Sequence, residues 1–135
     1  SEINIFNQSC PLFVPLVEEG LTKGPITKLI VEFYLSHFKN TDIDTLILGC
    51  THYPILTAVI KDVVGKNISL VDSGKAAAEV VMGVLKKNKI LSGVSHGEVH
   101  SFITDSKQSF QTVITKALTP EFNISIKSIN RIDIG

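Results

Sequence analysis

Hydrophobic and polar positions recur with two periods along this chain. Ile3 and Ile5 alternate with polar residues and run into Phe6, the two-residue period of a short strand. Cys10 to Gly24 holds Pro11, Pro15 and Gly20, with Gly24 and Pro25 at its end, and reads mainly as loop. Pro25 then stands where a helix accepts its proline, at the first position. Ile26, Leu29, Ile30, Phe33, Tyr34 and Phe38 recur at helical spacing and predict a helix to about Lys39. Thr45-Leu46-Ile47-Leu48 is a short apolar run, as in a strand buried on both faces. A second helix is expected from Pro54 to Val64, stopped by Gly65. Ile68 to Val71 is the next strand, and Asp72-Ser73-Gly74 turns into an Ala/Val-rich helix ending near Lys87.

A polar, glycine-containing connection from Asn88 to Glu98 precedes a strand (Val99 to Ile103), a helix (Ser106 to Leu118) and a last strand (Ile124 to Ile129). In that last strand Ile124, Ile126 and Ile129 are broken by Ser and Lys, the pattern of an edge strand with one wet face. Strands and helices alternate throughout, which calls for right-handed crossovers and a largely parallel sheet. The fold class is α/β, a mostly parallel sheet with flanking helices.

Composition narrows the function classes. With 135 residues, 44% apolar and 19% charged, the chain can bury a core and is not of disordered composition. Thirteen basic residues balance thirteen acidic ones without a basic stripe, so neither nucleic acid nor a membrane surface is an expected partner. No apolar run is long enough to cross a bilayer, and no signal-peptide pattern opens the chain. Two cysteines make no disulfide framework, which fits the cytoplasm. The first residue is Ser1 rather than Met, which leaves a start in mid-protein open.

The densest candidate chemistry is Gly49-Cys50-Thr51-His52-Tyr53-Pro54. It follows an apolar strand and precedes a helix, so Cys50, Thr51 and His52 fall at the carboxyl end of a strand, where open α/β sheets bind ligands. A helix N-terminus there favours anions. A free thiol of pKa about 8.5 is only about 3% thiolate at pH 7. A helix N-terminus and a neighbouring imidazolium raise that fraction. Gly49 permits close approach to the backbone, and Thr51 offers a hydroxyl to a substrate carboxylate or amine. Free cysteine is also among the most buried residue types, so the residues alone leave a packing thiol and a reactive one both open.

Leu48-Gly49-Cys50-Thr51-His52-Tyr53-Pro54 resembles the signature of the C-terminal half of glutamate racemase, in the aspartate/glutamate racemase superfamily. Cys10-Pro11-Leu12-Phe13-Val14-Pro15-Leu16-Val17-Glu18 resembles a second stretch of that family, and Val71-Asp72-Ser73-Gly74 with the Ala-rich helix a weaker third. The resemblance extends over essentially the whole chain, least over 99–135. It implies a cofactor-independent enzyme that interconverts L- and D-glutamate and supplies D-glutamate for peptidoglycan. In such an enzyme two cysteines flank the α-carbon, one from each of two facing α/β domains. Two opposed bases are what inversion requires, since one base on one face returns the same enantiomer.

By this resemblance Cys50 is the second catalytic cysteine and His52 assists it. Thr51 and His52 touch substrate, and Glu18 (with Glu19 the adjacent alternative) is the carboxylate that positions His52. No metal or cofactor is implied; a homodimer is allowed. The first cysteine and its aspartate belong to an N-terminal half that no stretch of this chain matches. Residues 1–92 then correspond to the racemase domain carrying the second cysteine, and 93–135 to a segment that returns to the N-terminal domain. Phe102, Phe110, Ile114 and Phe122 would need cover from that partner. Cys10 aligns with a Cys-Pro step and is expected to be structural, and Asp72-Ser73-Gly74 is expected to cap a helix.

Two other readings compete. One is a non-catalytic α/β binding or interaction module that retains the motif. The other is a Cys–His hydrolase or transferase, weakened because residues two apart face each other only across a sharp turn, and because no oxyanion glycine loop is evident. His37 near a helix end and the Lys86-Lys87-Asn88-Lys89 run are expected at the surface, and His96 and His100, flanking the glycine-containing connection, have no Cys or carboxylate nearby at metal-site spacing.

Overall fold

The computed structural model describes residues 3–93, 98–104, 106–114 and 125–134. His96, Phe122, Ile124 and the expected end of the last helix at 115–118 lie outside the described residues. The chain divides into two units, Ser1–Val17 with Leu21–Ser73, and Glu18–Gly20 with Gly74–Gly135.

In the first unit the expected strand at Ile3 and Ile5 does not form. Residues 3–10 have no regular structure, and Ile3, Ile5 and Phe6 are exposed. An alternating pattern makes a strand only where a neighbour accepts its ladder bonds, and no described strand pairs with it. The stretch read mainly as loop holds a helix, α1 (Phe13–Glu18). Pro15 is tolerated because amides of the first helical turn have no intrahelical acceptor. Phe13, Leu16 and Val17, at helical spacing, form its buried side.

The next helix, α2 (Pro25–Leu35), begins at Pro25 and runs on as a 3-10 turn, Ser36–Asn40. Gly24 before it has φ 100°, a conformation that residues with a Cβ avoid. The buried stripe is Thr27, Val31 and Leu35, continued by Phe38, and not the stripe the apolar count favours. Ile26, Leu29 and Phe33 are 58%, 68% and 78% exposed. Both stripes fit a period of about 3.6 residues, so spacing cannot choose between them. Packing on α3 (Thr57–Val64), which buries Ile60, Val63 and Val64, makes the choice. Thr27 lies at zero exposure because its hydroxyl donates toward the Leu21 carbonyl at 3.0 Å and the Lys23 carbonyl at 3.2 Å.

Strands β1 (Thr45–Leu48) and β2 (Ser69–Asp72) pair in parallel, Thr45 opposite Ser69 and Leu48 opposite Asp72. Burial on both faces is not observed: Leu48 is 3% exposed but Ile47 is 68% exposed. Only one face of this pair is covered. Between the strands a 3-10 turn, Tyr53–Leu56, leads into α3, so the α-helix begins at Thr57 rather than Pro54. Helix α3 stops at Gly65, φ 100°, and its Lys61 ammonium reaches back to donate to the Ile68 carbonyl.

Almost all of α4 (Ser73–Lys87) belongs to the second unit. None of its residues is buried, and Val80, Val81, Met82 and Val84 are exposed. Strands β3 (Glu98–Ile103) and β4 (Ser125–Arg131) pair in parallel with an irregularity between Val99 and His100, and α5 (Lys107–Val113) packs on β4. Ile114 is buried while Phe102 is exposed. Both strand pairs are parallel and helices follow the strands, so the α/β class read from the alternation stands. Among the described residues no helix is long and apolar enough to cross a membrane.

The burial pattern predicts opposite outcomes at two leucines. Leu56, at zero exposure, should cost about 2–5 kcal/mol of stability when replaced by Ala. Leu29→Ser, on the outer stripe of α2, should change it by no more than about 0.5 kcal/mol. Denaturant unfolding of the two variants checks this, and a larger loss at Leu29 would mean that the outer stripe is the packed one.

Candidate active site

Parallel pairing brings the carboxyl ends of β1 and β2 to the same edge. The chain leaves β1 there through Gly49 and turns through Cys50, Thr51 and His52. The turn is closed by the Tyr53 N–H, which donates to the Cys50 carbonyl at 3.3 Å, and continued by the Ile55 N–H, which donates to the His52 carbonyl at 3.1 Å. A Cβ on Gly49 would meet nothing within 4 Å, so the space beside the turn is open. Asp72 ends β2 opposite Leu48, and α4 follows it directly.

Cys50 is half-buried, and its Sγ lies 3.9 Å from Nδ1 of His52. Thr51 Oγ1 lies 3.5 Å from the same nitrogen. The turn is therefore sharp enough for residues two apart to meet, and spacing is no obstacle to a thiol–imidazole pair. With its proton on Nε2 the imidazole accepts the S–H; doubly protonated, it donates to a thiolate. The pair can hold or hand on one proton. What lies under the thiol is the start of a 3-10 turn rather than of an α-helix. The observed polar contact of the thiol is therefore with the imidazole.

The other thiol is in a different state. Cys10 is 3% exposed and its S–H points to the Gln8 carbonyl at 3.8 Å. Burial pushes its pKa from 9.0 up to about 11, so it remains a neutral thiol across the physiological range.

Of the four expected site residues, Cys50, Thr51 and His52 share this turn. Glu18 closes α1, is exposed, and is grouped with Glu19 and Gly20 in the second unit. Among the described residues no three His, Cys, Asp or Glu side chains converge on a point that could hold a metal ion. His37 is exposed with its ring 4.1 Å from that of Phe38. His100 meets Ser128 at 2.9 Å and Glu98 at 3.7 Å, and Glu98 pairs with Lys127, an exposed ladder across β3 and β4.

Tyr53 has no role assigned from the sequence. Its hydroxyl nevertheless donates to the Cys10 carbonyl at 3.3 Å, and its ring stands edge-on to Phe13. The signal available beforehand was a hydroxyl on an aromatic ring in a largely apolar turn, which seeks a partner when it is buried.

The two thiols should separate under alkylation at neutral pH, Cys50 reacting well before Cys10, as mass spectrometry of the partly modified chain would read. The sign for Cys10 follows from its raised pKa. The unfolded chain loses that proton first, so its contribution to stability is intact below about 9 and is lost as pH rises to about 11. The stability difference between the unaltered chain and Cys10→Ala should narrow over that window; a constant difference would contradict the burial assignment.

No protein-family model matches the chain. Among curated proteins, the glutamate racemase of Chlorobaculum parvum is 43% identical over 110 residues, 81% of this chain and 40% of that protein. The glutamate racemase of Persephonella marina is 47% identical over 110 residues, 82% of this chain and 40% of that protein. Among solved structures, glutamate racemase from Francisella tularensis in complex with D-glutamate matches with a TM-score of 0.74 and 29% identity, covering 97% of this chain and 48% of that one. Glutamate racemase from Thermus thermophilus in complex with beta-chloro-D-alanine matches with a TM-score of 0.73 and 30% identity, covering 94% of this chain and 47% of that one. The chain spans about 40% of the length of the curated relatives it matches. In both sequence and fold, then, the chain is similar to glutamate racemases, and what it matches is a C-terminal fragment of them.

Proposed function

We propose that this chain contributes one of the two acid/base thiols of a cofactor-independent glutamate racemase, and that Cys50 is that thiol. The observation that carries the reading is the 3.9 Å contact of Cys50 with His52 at the carboxyl edge of a parallel strand pair. A thiol–imidazole pair by itself also suits a hydrolase. The relatives' name, glutamate racemase, and the D-glutamate in the Francisella tularensis complex favour racemisation.

In the proposed mechanism the Cys50 thiolate removes the α-proton from one enantiomer of glutamate, and an opposing thiol protonates the carbanion on its other face. In the reverse direction Cys50 supplies the proton. Inversion follows because the proton leaves on one side and returns on the other. His52 holds the thiol's proton while Cys50 is ionised, and with Thr51 it contacts the substrate. Glu18 orients the imidazole, a base steered by a third group.

The opposing thiol comes from an N-terminal half, onto which the segment 93–135 packs while 1–92 form the domain carrying Cys50. The D-glutamate product serves peptidoglycan synthesis in the cytoplasm. The exposed Val80, Val81 and Phe102 fit a chain that needs such a partner.

The test is racemisation of L-glutamate by this chain alone and by an assembly with the N-terminal portion of the Chlorobaculum parvum enzyme, fused or added separately. Activity is expected only in the assembly. Racemisation by the lone chain would mean that both bases reside here and that Cys10 is one of them. Within an active assembly, Cys50→Ser should lower turnover by at least about a hundredfold in both directions, while Cys10→Ser should affect stability alone. Undiminished activity of Cys50→Ser would refute the assignment. Glu18→Gln should reduce kcat more than it alters KM; that response from Glu19→Gln and none from Glu18→Gln would move the orienting role by one residue.

A further inference from the structure

Tyr53 is fastened at three points, all within the first unit. Its N–H closes the Cys50 turn at 3.3 Å. Its ring meets that of Phe13 edge-on, centroids 5.1 Å apart at 75°. Its hydroxyl donates to the Cys10 carbonyl at 3.3 Å, across 43 residues of chain. That carbonyl also accepts the Phe13 N–H at 3.0 Å, so both of its lone pairs are engaged. Phe13, 1% exposed, is held from a further direction by Tyr34, edge-on at 5.6 Å and 85°. The start of α1 and the thiol turn thus hang from one oxygen atom.

We infer that Tyr53 is a positioning residue for Cys50, its hydroxyl pinning the thiol turn to the Cys10–Phe13 backbone. The inference rests on the reading of Cys50 as an acid/base thiol and adds what holds that thiol in place. The turn needs a fastening of this kind. The bond that closes it, 3.3 Å long, comes from Tyr53 itself, and the space beside Gly49 is open. Proton transfer at carbon is intolerant of displacement, a shift of about 1 Å costing up to about a hundredfold in rate. The phenol remains a donor wherever thiol chemistry operates. Burial, and then negative charge on Cys10 and Cys50, hold its pKa above the ordinary range. Packing alone does not require the hydroxyl, because Phe would keep the edge contact with Phe13.

The variant is therefore Tyr53→Phe, which preserves the ring and deletes the donor. In the full chain, hydrogen exchange at the Tyr53 and Ile55 amides should quicken about tenfold, while the buried Ile60 and Val63 amides keep their rates. In the active assembly, kcat should fall about tenfold with KM held within about threefold. A structural role alone would predict faster exchange in the core and no such split between kcat and KM. Unchanged exchange at Tyr53 and Ile55, or unchanged kcat, overturns the inference. An assembly that fails to racemise with Tyr53 in place overturns the racemase reading, and this inference with it. A loss confined to Tyr53→Phe tells against the clamp alone only if exchange at the turn is unaltered.

Discussion

The parallel pairing of β1 with β2 is the constraint on which the candidate chemistry depends. In a parallel pair both chains end at one edge, where backbone groups beyond the last ladder bond are free to build a site. Leu48 opposite Asp72 sets that edge, and the residues that follow Leu48 are Gly49 and the thiol turn. Had the register slipped by one residue, Leu48 would have exchanged its buried face for the one on which Ile47 is exposed. The thiol's place is thus a consequence of which side chain of β1 is buried.

The core of the first unit is built largely on its helices. Phe13, Leu16 and Val17 on α1, Val31 and Leu35 on α2, and Ile60, Val63 and Val64 on α3 are the buried residues of the first unit's helices, with Leu56 at the entry to α3. Each Leu- or Ile-sized side chain removed from water contributes about 1.5–3 kcal/mol. Thr27 joins them at no polar cost because two carbonyls meet its hydroxyl. The second unit is differently composed: its longest helix, α4, buries nothing, and a polar ladder runs across its strand pair.

The two cysteines of the chain end in different settings. Cys10 is buried, and loss of solvation resists a charge there, so that its pKa is pushed up to about 11. Cys50 is only half-buried and faces an imidazole that can carry its proton. Between them stands Tyr53, bonded through its hydroxyl to the backbone of the first and through its amide to the backbone of the second. Burial separates the thiols chemically, and one side chain joins them mechanically.

Local sequence determined a good deal here. Alternating strands and helices, Pro25 at a helix start, Gly65 at a helix end, and a cysteine two residues from a histidine just past an apolar strand are short-range features, and short-range physics suffices to read them. The wrong expectations share one cause. The strand at Ile3 and Ile5 and the two-sided burial of β1 each depend on what lies across from the element, and one chain's periodicity carries no record of that. Helix α1 was hidden because two prolines weigh as breakers wherever they stand, although one of them falls in a first turn that needs no amide. Only the tertiary structure could bring Cys10 and Tyr53 together. Their bond spans 43 residues and exists because the core that buries Phe13 delivers both ends of it to the same place.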